Sequence, residues 1–240
     1  MTSRRILVSI FTLFSGLLTQ RALMAQSTIL NTPSTDVVAA KKVYVEMDFI
    51  TNYAWQQNDD SKFANYAPRL VVGVARKVEA GVNVSLTHVP GGGQPIELQP
   101  NVKWQFYQNE AKGLAAAAGC IWYVSITHRA GTDTLGQCYS VASKKVAGGL
   151  GPRFTGGGYV LLGASEAERT KAGAIVAYEQ PFSKRTGLLL DWLSGNNRFG
   201  SVSPGLYILT PHNGSLSAGY TIANHGRGKN ALFVYYGTQF

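Results

Sequence analysis

Four histidines and two cysteines are the residues of this 240-residue chain whose types most readily suggest chemistry. His88, His128, His212 and His225 lie in THVP, THRAG, PHNG and NHGRG. None has a second His or a carboxylate at the i, i+4 spacing of a helical zinc site, so they read as solvated loop histidines and no metal or other cofactor is expected. A hydrolase acting on lipid would pair Ser125 with His128, or Ser194 with His225. A serine nucleophile needs its base within hydrogen-bond reach and a third group to orient that base, and the chain has no G-x-S-x-G motif. An enzyme is therefore the alternative reading, with no catalytic residue assigned. The runs GGG at 91–93 and 156–158 do not lead into a Lys-Ser/Thr pair before a helix, so they are no phosphate loop. They suit a loop and a strongly bent strand.

Cys120 and Cys138 flank a segment whose tip is HRAGTD, nine residues on either side of Arg129. A regular hairpin sets them opposite each other. In an oxidising compartment they would then form a disulfide. A register slip of one residue would leave them as two small apolar fillers.

The charged residues carry a clearer pattern. VYVEMDFITNYAW sets Val43, Val45, Met47, Phe49, Tyr53 and Trp55 against Glu46, Asp48 and Asn52. IELQPNVKWQFYQ sets Ile96, Leu98, Val102, Trp104 and Phe106 against Glu97, Gln99, Lys103 and Gln105. A period of two means strand. Glu46, Asp48, Arg69, Glu97, Lys103 and Asp191 all fall on the polar side of such segments. A soluble sandwich would turn that side outward. A membrane barrel must turn it inward, because Arg or Lys facing lipid at mid-depth costs roughly 2–4 kcal/mol. There the charges would line a water-filled path or pair with one another as a plug.

The elements needed to position these residues favour the barrel. About twelve alternating segments follow Lys41, an even count, with aromatic residues at their ends where interfacial girdles would lie. QQNDDSKFAN, PGGGQP, GASEAER and SGNNRFGS are long, open connections, whereas VEAG, NEAKG and PHNG are short. SKKVAGGLGP and EQPFSKR are longer than the short side favours. Charged residues make up 15% of the chain, against about 25% in an average soluble domain. The 27 glycines and 12 tyrosines suit turns and interfaces better than long helices.

Arg4 and Arg5 precede an apolar run from Ile6 to Leu18 and a small residue at Ala25, the pattern of a secretory signal. That run is shorter than the roughly 20 residues of a spanning helix. Cleavage after Ala25 would remove Arg4, Arg5 and Arg21 and lower the formal charge from +9 to +6. The remaining cations are not gathered into the patch that nucleic-acid binders show, so no nucleic-acid partner is expected. The expected organisation is a signal peptide over 1–25, a periplasmic lead-in over 26–40 and a barrel over 41–240.

The chain ends in ALFVYYGTQF, with Val234, Tyr236 and Phe240 on one side of a final strand. This ending resembles that of bacterial outer-membrane β-barrel proteins, whose terminal aromatic is read by the barrel-assembly machinery. GLLLDWLSGNNRFGSVSPG followed by LSAGYTIAN is similar, more loosely, to outer-membrane transporter and porin barrels encoded with aromatic-degradation pathways. The resemblance implies an all-β, closed antiparallel transmembrane barrel in a Gram-negative outer membrane, with lipids, the assembly machinery and a small-molecule solute, organic ones included, as partners. The function so implied is a passive channel or transporter. A lipid-modifying hydrolase, a plugged structural barrel and a soluble periplasmic β-sandwich or lipocalin-like binder are the alternatives.

Overall fold

The computed structural model describes residues 28–53, 62–127, 134–226 and 230–240. Twelve strands follow one another: β1 (Val43–Thr51), β2 (Ala64–Ala75), β3 (Val78–His88), β4 (Ile96–Asn109), β5 (Leu114–Ser125) and β6 (Leu135–Lys145). They continue as β7 (Arg153–Leu162), β8 (Ala172–Pro181), β9 (Thr186–Leu193), β10 (Ser201–Thr210), β11 (Gly214–Ala223) and β12 (Ala231–Gln239). Each pairs antiparallel with its sequence neighbours, and β12 returns to pair with β1. The fold is thus the closed all-β antiparallel barrel of twelve strands expected from the period-two pattern. Closure leaves no edge strand with unpaired backbone groups. At the seam Met47 faces Tyr236, and Phe240 N donates to Val43 O at 2.8 Å.

Side chains alternate across the wall as the sequence period requires. Along β1, Tyr44, Glu46 and Asp48 are buried inside while Val45 and Met47 are exposed outside. Leu70, Trp104, Phe154, Leu206 and Tyr236 continue this exposed apolar exterior around the ring. An apolar exterior around a polar interior inverts the burial of a water-soluble domain. It matches a barrel whose surroundings are hydrocarbon. Gly237 shows how tightly the interior is filled: a Cβ there would fall 2.0 Å from the Tyr44 hydroxyl.

The open connections gather at one end and the short turns at the other, with the start of β1 and the end of β12 on the short-turn side. One turn differs from expectation. VEAG, read as a turn, begins β3, and the chain reverses instead at Arg76–Lys77, where Lys77 takes a positive φ of 65°. A lysine carries no turn signal of the Gly or Asn kind, so the two-residue reversal was hidden by its composition. The long 146–152 connection does lie on the short-turn side.

The larger difference concerns residues 26–40. The structure places 28–40 within the barrel, where a periplasmic lead-in over 26–40 was expected. Ile29 and Leu30 pack against Ala177, Leu189, Phe233 and Tyr235, and Val38 packs against Tyr44 and Val71. The physical reason lies in composition: from Thr28 to Ala40 the only charge is Asp36, and the barrel interior offers partners for the segment's backbone. Residues 1–25, with the expected signal and its cleavage site, lie outside the described residues, as do Trp55 and His128.

Candidate functional site: the barrel lumen and the segment inside it

Strand alternation brings Glu46, Asp48, Arg69, Glu97, Lys103 and Asp191 to the inner face, from the four strands β1, β2, β4 and β9. The pairing register then decides which of them meet. Glu46 lies directly across from Arg69, and Arg69 Nη1 reaches Glu46 Oε1 at 2.7 Å and Asp48 Oδ2 at 3.4 Å. Tyr44 OH donates to Glu46 Oε2 at 2.5 Å. Two carboxylates therefore share one guanidinium, and one of them, Glu46, also accepts from a phenol. Asp48 Oδ1 and Arg69 Nε have no protein partner among the described residues.

Lys103 lies across from Glu79 and bonds it at 3.0 Å, both almost fully buried. Arg153 on β7 lies across from Glu179 on β8 and engages it through two nitrogens, one of them at 2.8 Å. Arg198, from the 194–200 connection, reaches Glu97 with 2.9 Å contacts to both carboxylate oxygens. Its guanidinium also lies over the rings of Tyr123 and Phe199, 4.8 and 5.0 Å from their centroids. A basic side chain from a long-loop connection thus closes over the lumen mouth. On the rim itself, Lys171 bonds the exposed Glu166 and holds its carboxyl below the usual range.

The luminal segment is held through both its backbone and its side chains. Asp191 Oδ2 accepts from Asn31 N at 2.7 Å and Thr32 N at 2.9 Å. Glu79 Oε2 accepts from Val38 N at 2.6 Å, and Gln105 Nε2 donates to Thr35 O at 2.9 Å. Asp36 bonds Arg153, Thr35 Oγ1 meets Ser143 Oγ at 2.7 Å, and Asn31 bonds Ser203, Thr221 and Tyr235. Ala40 pairs with Gly73 of β2. Two lumen charges, Asp191 and Glu79, therefore act as acceptors for a peptide passing the lumen. Asp191 Oδ1 faces no protein partner among the described residues.

Glu79, Gln105, Arg153 and Glu179 join the lumen beside the six sequence candidates. Gln105 stood on the polar side of an alternating segment and was legible there, whereas Glu79 was hidden in VEAG, read as a turn. Arg198 and Asp36 were not legible, because neither lies in a strand. The cysteines pair directly across β5 and β6 and form a disulfide, on the outer face between Val102 and Val160. Val234 and Tyr236 also face outward, and Phe240 is exposed beyond β12.

Of the two Ser–His pairs considered, Ser125 with His128 falls partly outside the described residues, and for Ser194 with His225 the described contacts lead elsewhere. Ser194 Oγ accepts from Ala174 N at 2.6 Å, and His225 is exposed in a short turn at Asn224–Gly226. Ser125 lies buried on the lumen side. Among the described residues no group of three His, Cys, Asp or Glu side chains is placed to hold a metal ion.

No protein-family model matches the sequence, and no curated protein matches it. Among solved structures the chain is similar to the KdgM porin, with a TM-score of 0.52 and 9% identity over 82% of this chain and 98% of that one. It is also similar to an outer-membrane channel from Pseudomonas putida F1, at 0.48 and 11% over 85% and 97%. A third is the translocator domain of the autotransporter NalP from Neisseria meningitidis, at 0.43 and 10% over 97% and 96%. At such identity the likeness to the KdgM porin is one of fold.

Proposed function

We propose that this chain is a passive outer-membrane channel for small solutes, with the segment over 28–40 setting the width of its path. The observation that carries the reading is the inverted burial: a closed ring with charged and amide side chains inside and Leu, Val, Trp and Phe outside. Such a wall meets the requirement that every backbone group crossing a bilayer be satisfied internally. The fold shared with a porin supports it. Export by a cleaved signal over 1–25 and assembly through the terminal Val234, Tyr236 and Phe240 belong to the same proposal.

The lumen charges give the channel a sign. Glu46, Asp48, Glu79, Glu97, Glu179 and Asp191 face Arg69, Lys103, Arg153 and the incoming Arg198. Acids exceed bases, so cations should pass more readily than anions, as charged pore linings select. The test is single-channel recording of the refolded protein in a planar bilayer. Expected are small steps with a cation-directed reversal potential in a salt gradient. Asp191→Asn combined with Glu79→Gln, which replaces the charged acceptors of the segment's backbone by weaker amide oxygens, should loosen the segment and raise the conductance. Silence from folded, inserted protein in both forms would sink the open path.

A further inference from the structure

We propose that the outer face of β5–β7 is a binding site for one anionic phospholipid, its acyl chain in a shallow groove and its phosphate against Lys112 and Lys144. The inference rests on the membrane reading above and adds to it a specific lipid.

The groove arises because the outward residues of three adjacent strands are small. Cys138, Ser140 and Ala142 of β6 face out, with Ala116 and Ala118 beside them on β5 and Gly156 and Gly158 on β7. Large outward side chains on the flanking strands form the walls. Trp104 and Phe106, with centroids 5.7 Å apart, stand on the β4 side. Phe154 and Tyr178, 5.1 Å apart, stand on the other. At the long-loop end Trp122 lies over Gly136, so closely that a Cβ there would come within 2.9 Å of the indole. One part of it, about 370 Å³, is lined by Val102, Trp104, Ala118 and the Cys120–Cys138 bridge.

At its short-turn end the groove opens onto cations. Lys144 ends the outward row of β6, and its amine donates to the backbone oxygen of Lys112 in the β4–β5 turn. Lys145 follows, and the next turn along, β8–β9, presents exposed Lys184 and Arg185. The remaining turns on this rim add Arg76 and Lys77, and Lys41 and Lys42 precede β1. Glu110 is the carboxylate that these turns and Lys41–Lys42 contain. On the opposite rim, by contrast, Lys171 and Arg198 are paired with Glu166 and Glu97. Val146, Leu150 and Phe182 are exposed among the short-turn cations, giving those turns apolar tips suited to a headgroup layer.

Dimensions and charge select the occupant. Cys138 to Lys144 spans about 20 Å at roughly 3.3 Å per residue. With a strand tilt of about 35–45°, that row descends through about half of a hydrocarbon core some 30 Å thick. This is the depth of one leaflet, with the cations at headgroup level. A second copy of the chain docked by a two-fold axis would bring this same cationic patch close to its like. A phosphate meets it with opposite charge.

The test places the folded protein in nanodiscs of equal phosphatidylglycerol and phosphatidylcholine and reads the lipid retained after release by native mass spectrometry. Phosphatidylglycerol should be retained over phosphatidylcholine on the order of tenfold, as two lysines near an anionic surface would give. Lys112→Gln with Lys144→Gln should abolish that preference while phosphatidylcholine retention is unchanged. Ala118→Leu with Ala142→Leu should lower the retention of both lipids. Heat-modifiable migration on gels checks that each variant is folded. Equal retention of the two lipids by the unaltered protein, or a preference that survives the lysine changes, would overturn the site. Folded protein that does not enter nanodiscs would overturn the membrane reading, and this site with it.

Discussion

At the scale of single residues, the lumen depends on charges that cannot be removed one at a time. Lys103 and Glu79 are both nearly inaccessible and bond at 3.0 Å, so replacing the lysine by an apolar residue strands a carboxylate in the interior. Breaking a buried pair from one side costs roughly 3–5 kcal/mol. Lys103→Met should therefore lower the unfolding free energy by about that much in urea titrations of the refolded protein. Lys103→Met with Glu79→Leu should recover most of it. If the single change cost under about 1 kcal/mol, the pair would be solvated and the lumen wetter than its geometry suggests. Glu79 has a second task, because it also accepts the Val38 N–H. The double variant should therefore restore stability without restoring the grip on the luminal segment.

At the scale of elements, the β5–β6 hairpin is tied by a disulfide between residues 18 apart in sequence. Closing a loop of that size restricts the unfolded chain by about 3 kcal/mol. Cys120→Ala with Cys138→Ala should lower the urea midpoint accordingly, with strand content by circular dichroism unchanged. An unchanged midpoint would show that neighbouring pairs already hold the hairpin. Counting inward from the HRAGTD tip placed these cysteines opposite one another because a hairpin of unbroken period two has only one register. The same logic made the lumen faces of β1 and β4 legible, since Glu46, Asp48, Glu97 and Lys103 alternate with large apolar residues. It could not find Arg198, which reaches Glu97 across 101 positions from a connection. Nor could it place residues 28–40. Their contacts run through backbone and side-chain groups alike, pointing in all directions, and the period that would advertise a face is missing where a segment is surrounded on every side.

At the scale of the whole molecule, the exposed exterior distinguishes a membrane from water as its solvent. Leu70 faces outward near mid-strand and is 43% exposed. In water Leu70→Arg would be nearly neutral, within about 0.5 kcal/mol. In a bilayer it should cost roughly 2–4 kcal/mol, falling to about 0–1 for the same change at Val74, near the short-turn rim. Folding into lipid vesicles with a urea titration measures both, and equal, small effects at the two sites would contradict the membrane reading. The seam of the ring adds a constraint in time. The luminal segment is contiguous with β1, and its partners Asp191 and Thr221 lie 159 to 190 residues further along. Because β1 pairs with β12, the last strand of the chain, the wall that encloses the segment cannot close until the final residues are available. Threading and closure are thus coupled late events, built on contacts of very large sequence separation that are slow to form. Until the seam closes, the incomplete barrel has two open strand edges and a lumen segment without its enclosure.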